Sequence, residues 1–149
     1  MELTLYHFGR DEFRGWFDRC DPRLLILLDS LRHQWGQPIR ISPADGAIGR
    51  EMRDSISQHN IDKWGSVRAV DVYPEGVTNE HQAREFIDLA EQVGFTGIGV
   101  YPDWAGGIGF HLDVRVDAQP GKPAKWGAVN NENGVQRYVA LSQALEMVA

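Results

Sequence analysis

The longest uninterrupted apolar run in this chain covers only five residues, positions 24–28. A membrane-spanning helix needs roughly 20 apolar residues, so the sequence predicts no membrane partner. Apolar residues recur instead at helical and strand-like spacings, in short segments separated by glycine and proline. Because the 149 residues contain no internal repeat and no low-complexity tract, we expect a single domain over residues 1–149.

Composition excludes several classes of protein. A hydrophobic content of 42% is sufficient for a folded core, which argues against a disordered chain. The formal net charge is -6, so no nucleic-acid partner is expected. The single cysteine, Cys20, excludes an internal disulfide and a thiolate-rich zinc cluster. Any bound metal must therefore rest mainly on His, Asp or Glu.

The order of helical and strand-like segments indicates the fold class. Asp21 and Pro22 predict a helix start, and the helix runs to Trp35; a second helix runs from Thr78 or Asn79 to about position 93, and a third covers 135–147. Strands are predicted at 38–42, 67–73, 97–101 and 108–116, with loops at 43–57 and 102–107. The last two strands suggest an antiparallel hairpin. We predict an α+β fold in which helices flank a small antiparallel sheet.

Polar residues inside two of these strands suggest a metal site. In the strand at 108–116, His111 and Asp113 share the face opposite the apolar residues. Asp71 interrupts an apolar strand, where an unpaired buried carboxylate would be costly unless a cation compensated for it. A polar loop upstream contributes His59. Two imidazoles and one carboxylate suit zinc and leave the fourth tetrahedral position for water.

Five short blocks occur in a specific order. They are SQH at 57–59, AVDV at 69–72, GIGVYP at 97–102, FHLDVR at 110–115 and KWG at 125–127. In this order they resemble the zinc peptidases of the D-Ala-D-Ala carboxypeptidase family, which share the hedgehog-like peptidase fold. The WGQPI segment at 35–39 is also similar, so the resemblance covers most of the chain.

The resemblance implies a zinc metallopeptidase that cleaves the stem peptides of bacterial peptidoglycan, with one zinc ion per chain. Zinc would be held by His59, Asp71 and His111. The resemblance leaves open whether the cleaved peptide bond is of the D,D or L,D type and whether the enzyme is a carboxypeptidase or an endopeptidase. Such proteins are frequent in bacteriophages as endolysins or virion-associated hydrolases.

A phage origin implies further expectations about location and partners. The N-terminus has no signal-peptide pattern, which predicts synthesis in the host cytoplasm. The protein would act on the cell wall, in the periplasm or outside the cell, after lysis-assisted release or as part of a virion. Other phage virion proteins are then possible partners.

The sequence departs from the family pattern in ways that affect catalysis. His59 and Asp71 are twelve positions apart, which exceeds the family spacing and predicts an expanded surface loop at 60–68. The acid that usually precedes the last histidine is absent, so the general base is unassigned. Asp113 and Asp103 are candidates, although Asp113 is better placed to orient an imidazole and Asp103 to cap a turn.

Other residues are candidates for substrate binding. The family's serine-glycine-x-arginine segment is replaced by SPAD at 42–45, and Arg50 is the substitute we expect to bind the substrate carboxylate or polarised carbonyl. Ser57 is expected to shape the loop before His59. Three tryptophans are candidates for the wall of the cleft: Trp64, Trp104 and Trp126.

Two alternatives to a peptidase remain. The first is a non-catalytic module of the same fold that binds peptidoglycan or serves as a structural part of a phage tail or baseplate. The second is a small metal-free α+β domain in which His59 lies on the surface, a reading that leaves Asp71 unexplained.

Overall fold

The structure is a computed structural model that describes residues 2–148. Within this range the chain forms four α-helices and six β-strands. The helices are α1 (Pro22–Trp35), α2 (Ile61–Trp64), α3 (Glu80–Val93) and α4 (Leu141–Glu146). The strands are β1 (Ile39–Ile41), β2 (Ala69–Pro74), β3 (Gly97–Trp104), β4 (Gly107–Asp113), β5 (Ala124–Asn130) and β6 (Gln136–Val139). Two short 3-10 helices, Arg10–Phe13 and Phe17–Arg19, precede α1.

Local capping signals define the two long helices. The Asp21 side chain accepts a hydrogen bond from a backbone N–H in the first turn of α1, and Pro22 occupies the first helical position. Asn79 caps α3 in the same way. Both helices end at a left-handed glycine, Gly36 with φ 77° and Gly94 with φ 116°. The predicted first and second helices are therefore confirmed.

The six strands form one sheet in the order β1-β2-β4-β3-β5-β6. Neighbouring strands are antiparallel except for β3 and β5, which are parallel. The α+β class is confirmed, but the prediction of a small antiparallel sheet is wrong in extent and in its pure antiparallel character. A parallel neighbour is possible here because the chain from β3 to β5 passes through β4, which leaves the opposite edge of β3 free for β5.

The sheet separates the hydrophobic core from a polar face. Val70, Ile98, Phe110 and Leu112 project to the core side and are completely buried. The helices α1, α3 and α4 pack on that side, where the Phe86 ring of α3 lies 4.7 Å from the Phe110 ring. Alternate residues of the same strands project to the opposite face, which carries the polar side chains.

Two predictions about secondary structure are corrected, and one strand was missed. The predicted loop at 102–107 is mostly strand, because β3 continues to Trp104 and the hairpin turns at Ala105 and Gly106. The predicted helix at 135–147 begins only at Leu141, since residues 136–139 pair with β5 as strand β6. Strand β5 itself was not predicted. Both errors lie where pairing with a neighbouring strand outweighs local preference.

The segment at 60–68 is an ordered excursion between the first histidine and β2. Asn60 caps the single turn of α2, which ends at Gly65. The Trp64 indole N–H donates a hydrogen bond to the Ser57 backbone carbonyl with an N···O distance of 2.9 Å. This bond connects α2 to the preceding loop. No helix within residues 2–148 combines the length and the apolar character needed to cross a membrane.

Candidate metal centre

The strand register aligns four residues in one row across the polar face of the sheet. Asp71 on β2 lies opposite His111 on β4, which lies opposite Gly99 on β3, which lies opposite Trp126 on β5. Because residues directly opposite each other project to the same face, the carboxylate of Asp71 and the imidazole of His111 are neighbours. Local alternation in each strand therefore becomes a side-chain cluster once the strands pair.

His59 joins this pair from the loop that precedes α2. Its Nε2 lies 3.2 Å from Asp71 Oδ1 and 3.3 Å from His111 Nδ1. His111 Nδ1 lies 3.2 Å from the same carboxylate oxygen. All three residues are at most 8% exposed. The sequence thus predicted correctly which three side chains come together.

The backbone of Arg50 holds the loop that carries His59. The Arg50 N–H donates a hydrogen bond to the His59 carbonyl, and the Arg50 carbonyl accepts one from the Ile61 N–H. The N···O distance is 2.9 Å in both. Ser57 Oγ accepts a hydrogen bond from the His59 N–H at 3.2 Å. This is the kind of hydrogen bond expected of Ser57 in the loop before His59.

Each imidazole has an outer partner that orients its ring. His59 Nδ1 lies 2.8 Å from the carbonyl oxygen of Ile48, to which it donates. His111 Nε2 lies 2.7 Å from Asp113 Oδ2. When these outer nitrogens carry the protons, His59 Nε2 and His111 Nδ1 present their lone pairs to the cluster.

The cluster requires positive charge. Asp71 Oδ1 is buried, and no residue in the described part of the chain gives it a hydrogen bond of acceptable geometry. Burial raises the pKa of the Asp71 carboxyl, but His59 and His111 outweigh burial and bring this pKa well below its usual range. Burial likewise lowers the pKa of His111, but Asp113 and Asp71 outweigh it and raise that pKa to about 9. The site therefore favours a cation, either a proton or a metal ion.

The geometry of the three inner atoms fits a metal ion. Ligand atoms about 2.0–2.1 Å from a tetrahedral zinc ion lie about 3.3 Å from one another. The three separations of 3.2, 3.2 and 3.3 Å match one face of such a tetrahedron. His59, Asp71 and His111 could therefore hold a metal ion.

Asp113 lies behind His111, on the side of the ring away from the cluster. Its carboxylate is fully buried and pairs with Arg115, whose Nη2 lies 2.6 Å from Asp113 Oδ2. Burial raises the pKa of the Asp113 carboxyl, but His111 and Arg115 outweigh it, so this pKa also lies well below its usual range. Asp113 is thus placed to orient the imidazole rather than to reach a substrate.

Glycines on β3 make room for these groups. A Cβ on Gly97 would lie 2.1 Å from Asp113 Oδ1, and a Cβ on Gly99 would lie 2.6 Å from the Trp126 ring. The Trp126 ring in turn lies 5.2 Å from the His111 ring. The GIG segment thus allows one side chain from β4 and one from β5 to lie across β3.

The cluster of His59, Asp71 and His111 opens into a cleft of about 860 Å³. Five of the residues predicted to contact substrate or catalyse line this cleft: Arg50, Ser57, Trp64, Trp104 and Trp126. The Trp104 ring stacks on the Tyr101 ring with centroids 4.2 Å apart. Asp103 does not line the cleft; its carboxylate accepts a hydrogen bond from the Asn130 backbone N–H at 2.8 Å.

The sequence analysis missed other residues that line the cleft, among them Arg68, Tyr101 and Asp117. Asp117 continues the alternation of His111, Asp113 and Arg115, so the strand period could have indicated it. Tyr101 follows Gly99 by two positions in the same way. Nothing in the sequence indicated Arg68, because its position depends on how the segment at 60–68 folds.

Comparisons with known proteins identify no relative. No family model matches the chain, and neither the curated proteins nor the solved structures contain a match.

Proposed function

We propose that this protein is a zinc-dependent peptidase that hydrolyses peptide bonds in bacterial peptidoglycan. The observation that carries this proposal is the triangle of His59 Nε2, Asp71 Oδ1 and His111 Nδ1, whose three sides suit a tetrahedral metal ion. Three protein ligands beside an open cleft are typical of catalytic zinc sites, because structural sites use four protein ligands. The resemblance in the five sequence blocks supplies the substrate class.

The ligand chemistry favours zinc over other common metals. Two imidazole nitrogens and one carboxylate oxygen suit zinc, whereas magnesium and calcium prefer an all-oxygen site. A bound zinc ion would supply Lewis acidity, lowering the pKa of water to about 7 and polarising the scissile carbonyl. The protein's part is to orient the ligands and to position the substrate.

Residues around the ligands support this division of roles. Asp113 and the Ile48 carbonyl fix the two imidazoles, and Trp64 and Trp104 contribute walls to the cleft. Among the described residues that line the cleft, carboxylates are present at Asp71 and Asp117. Since Asp71 is a ligand, Asp117 is better placed than Asp103 or Asp113 to transfer a proton to the leaving amine.

Metal analysis of purified protein is the first test. We expect about one zinc ion per chain, and loss of the metal in the His59→Ala, Asp71→Asn and His111→Ala variants. His81→Ala is the matched control, because the His81 side chain is 81% exposed on α3. A folded protein that binds no zinc would overturn the ligand assignment.

Release of free amines from purified peptidoglycan tests the activity. The wild-type protein and the His81→Ala control are expected to release amines, whereas the three ligand variants are expected to release none. Zinc binding without release of amines would contradict the peptidase proposal and favour a module that binds the cell wall without cutting it. The same assay with intact phage particles addresses a role in the virion.

A further inference from the structure

A second pair of histidines lies away from the candidate metal centre. The chain contains five histidines, and two of them, His59 and His111, belong to that centre. Two others, His7 and His33, are 26 positions apart in the sequence, yet His7 Nε2 lies 3.2 Å from His33 Nδ1. Their ring centroids are 5.4 Å apart, compared with 5.0 Å for His59 and His111. The spacing of two imidazoles in the candidate metal centre thus recurs elsewhere on the molecule.

Helix α1 holds both imidazoles of this second pair in place. His33 is in the last turn of α1, and Asp29 is one turn earlier on the same face. The Asp29 carboxylate accepts hydrogen bonds from the backbone N–H groups of Tyr6 and His7 at 3.0 and 2.8 Å. Phe8, the next residue, is 6% exposed and packs in the core. The N-terminal segment is therefore fixed on both sides of the His7 side chain, beside a histidine of a rigid helix.

The geometry of the pair suits two ligands of one metal ion. Nitrogen atoms about 2.0–2.1 Å from a tetrahedral zinc ion lie about 3.3 Å from each other. The observed separation of 3.2 Å between His7 Nε2 and His33 Nδ1 is close to this value. The surroundings also favour a cation, because the pair lies at the negative end of the α1 dipole and the Asp29 carboxylate is one turn away.

The tautomers that metal binding requires are accessible to both rings. The two side chains are exposed, so water can accept hydrogen bonds from the outer nitrogens, His7 Nδ1 and His33 Nε2. In the absence of metal, the 3.2 Å contact is a hydrogen bond in which one inner nitrogen carries a proton. When that ring carries its proton on the outer nitrogen instead, both inner lone pairs face the same point.

We propose that His7 and His33 form a second metal site, which binds a divalent transition metal ion of the zinc, nickel and copper class. Imidazole nitrogens suit these metals, whereas magnesium and calcium prefer oxygen ligands. Within residues 2–148, His59, Asp71 and His111 are the group of three such side chains close enough to share an ion, so water completes the coordination at the second site. A bound ion joins the N-terminal segment to α1. The second site does not depend on the proposed peptidase function.

The number of ligands sets the relative affinity of the two sites. Two imidazoles hold an ion more weakly than two imidazoles and a carboxylate do. Protein dialysed against metal-free buffer is therefore expected to keep zinc in the candidate metal centre and to bind a further ion at His7 and His33 on titration. Of the three metals, copper is expected to bind most tightly at the second site.

Calorimetric titration of the full chain with Zn²⁺ tests the proposal. We expect two binding events in the wild-type protein. His7→Ala and His33→Ala should each weaken the second event by about tenfold or more, because removal of even an outer partner of a ligating histidine typically costs about 10- to 100-fold. His81→Ala is the matched control, because the His81 side chain is 81% exposed and pairs with Glu85 rather than with a histidine. Thermal unfolding without metal verifies that each variant is folded.

Histidine ring-proton NMR gives a readout on the wild-type protein that needs no folded variant for its result. During the second binding event, the signals of His7 and His33 should shift together while that of His81 stays in place. Equal shifts of all three signals would indicate non-specific binding and overturn the proposal.

The outcomes also separate the second site from the candidate metal centre. A single binding event that is lost in His7→Ala and His33→Ala but kept in His59→Ala would support the second site and overturn the ligand assignment of the candidate metal centre. A single event that is lost in His59→Ala but unchanged in His7→Ala and His33→Ala would have the opposite meaning. The contact between His7 and His33 would then be a hydrogen bond and no metal site.

Discussion

Replacement of Asp113 by asparagine tests how His111, a ligand in the proposed metal site, is held. The carboxylate accepts from His111 Nε2 at 2.7 Å and from Arg115 Nη2 and Nε at 2.6 and 2.9 Å. Asparagine has the same shape but no charge, and its amide N–H₂ would face one of these donors. Asp113→Asn therefore leaves the Arg115 guanidinium unpaired and loosens the imidazole.

The magnitude follows from the burial of the two partners. Breaking a buried ion pair costs about 3–5 kcal/mol. The Arg115 side chain is 22% exposed, so water compensates part of the loss. We therefore expect the free energy of unfolding to decrease by about 2–3 kcal/mol. This is less than the value for a fully buried pair because solvent screens the partly exposed guanidinium. At about 2–4 °C per kcal/mol for a chain of this size, Tm falls by about 4–12 °C.

The metal site should respond independently. Loss of an outer partner of a ligating histidine typically weakens metal binding by about 10- to 100-fold. Thermal unfolding is measured with chelator and with excess zinc, and the zinc Kd is measured at 20 °C by competition with a chromophoric chelator. Asp103→Asn is the matched control, because the Asp103 carboxylate on β3 accepts one backbone N–H from Asn130 on β5 and does not line the cleft. A variant with wild-type Tm and a zinc Kd within about threefold of wild type would refute the orienting role of Asp113.

Three further predictions concern the metal, the sheet and the buried thiol. Removal of zinc by chelation should lower Tm reversibly, since a ligand at 100 times its Kd stabilises the folded state by about 2.7 kcal/mol; an unchanged Tm on zinc addition would contradict folded-state binding. Gly99→Ala should cost about 1–3 kcal/mol and displace Trp126, whose ring would lie 2.6 Å from the new Cβ; denaturant unfolding and tryptophan fluorescence measure this, and an unperturbed spectrum would speak against it. Burial raises the pKa of the Cys20 thiol from 9.0 to about 12, so above pH 9 the unfolded chain loses a proton that the folded chain keeps, and stability should fall by about 1.4 kcal/mol per pH unit. Cys20→Ala should lose this dependence between pH 9 and 10.5 in denaturant titrations, and an identical slope in both proteins would exclude the thiol as its source.

The parts of the fold that were predictable depend on local signals. The first two helices have a polar cap, an apolar face and a terminal glycine within about 15 residues, which is sufficient to define them without tertiary contacts. Strand β2 was predicted because β-branched residues lie between turn signals. Strand β6 was not predicted, because the apolar residues at 135–147 fit a helical spacing. In the fold, residues 136–139 pair with β5 and form a strand instead.

The cluster of His59, Asp71 and His111 was predictable for a chemical reason. Asp71 is a charge in an apolar strand and His111 is a polar residue between buried ones, and each needs a compensating partner. The resemblance to a peptidase family added His59, which local patterns indicate only as an available histidine. The role of Asp113 followed from its position two residues beyond His111 on the same face.

The remaining cleft residues required the tertiary structure. Arg68 enters the cleft because α2 places Trp64 against its guanidinium, and no period or motif in the sequence encodes that contact. Arg50 was predicted for its charge, yet its backbone anchors the loop of His59 through pairing that only the folded chain reveals.

The sequence by itself determined the helix boundaries, the apolar and polar faces of the main strands and the residues able to bind a metal. These properties depend on neighbours within a few positions, where spacing and capping act directly. The tertiary structure decided the order of the strands, the parallel pairing of β3 with β5 and the 3.2–3.3 Å separations of the ligand atoms. Those features arise from contacts between residues far apart in the chain, and pairing across strands is what places them together.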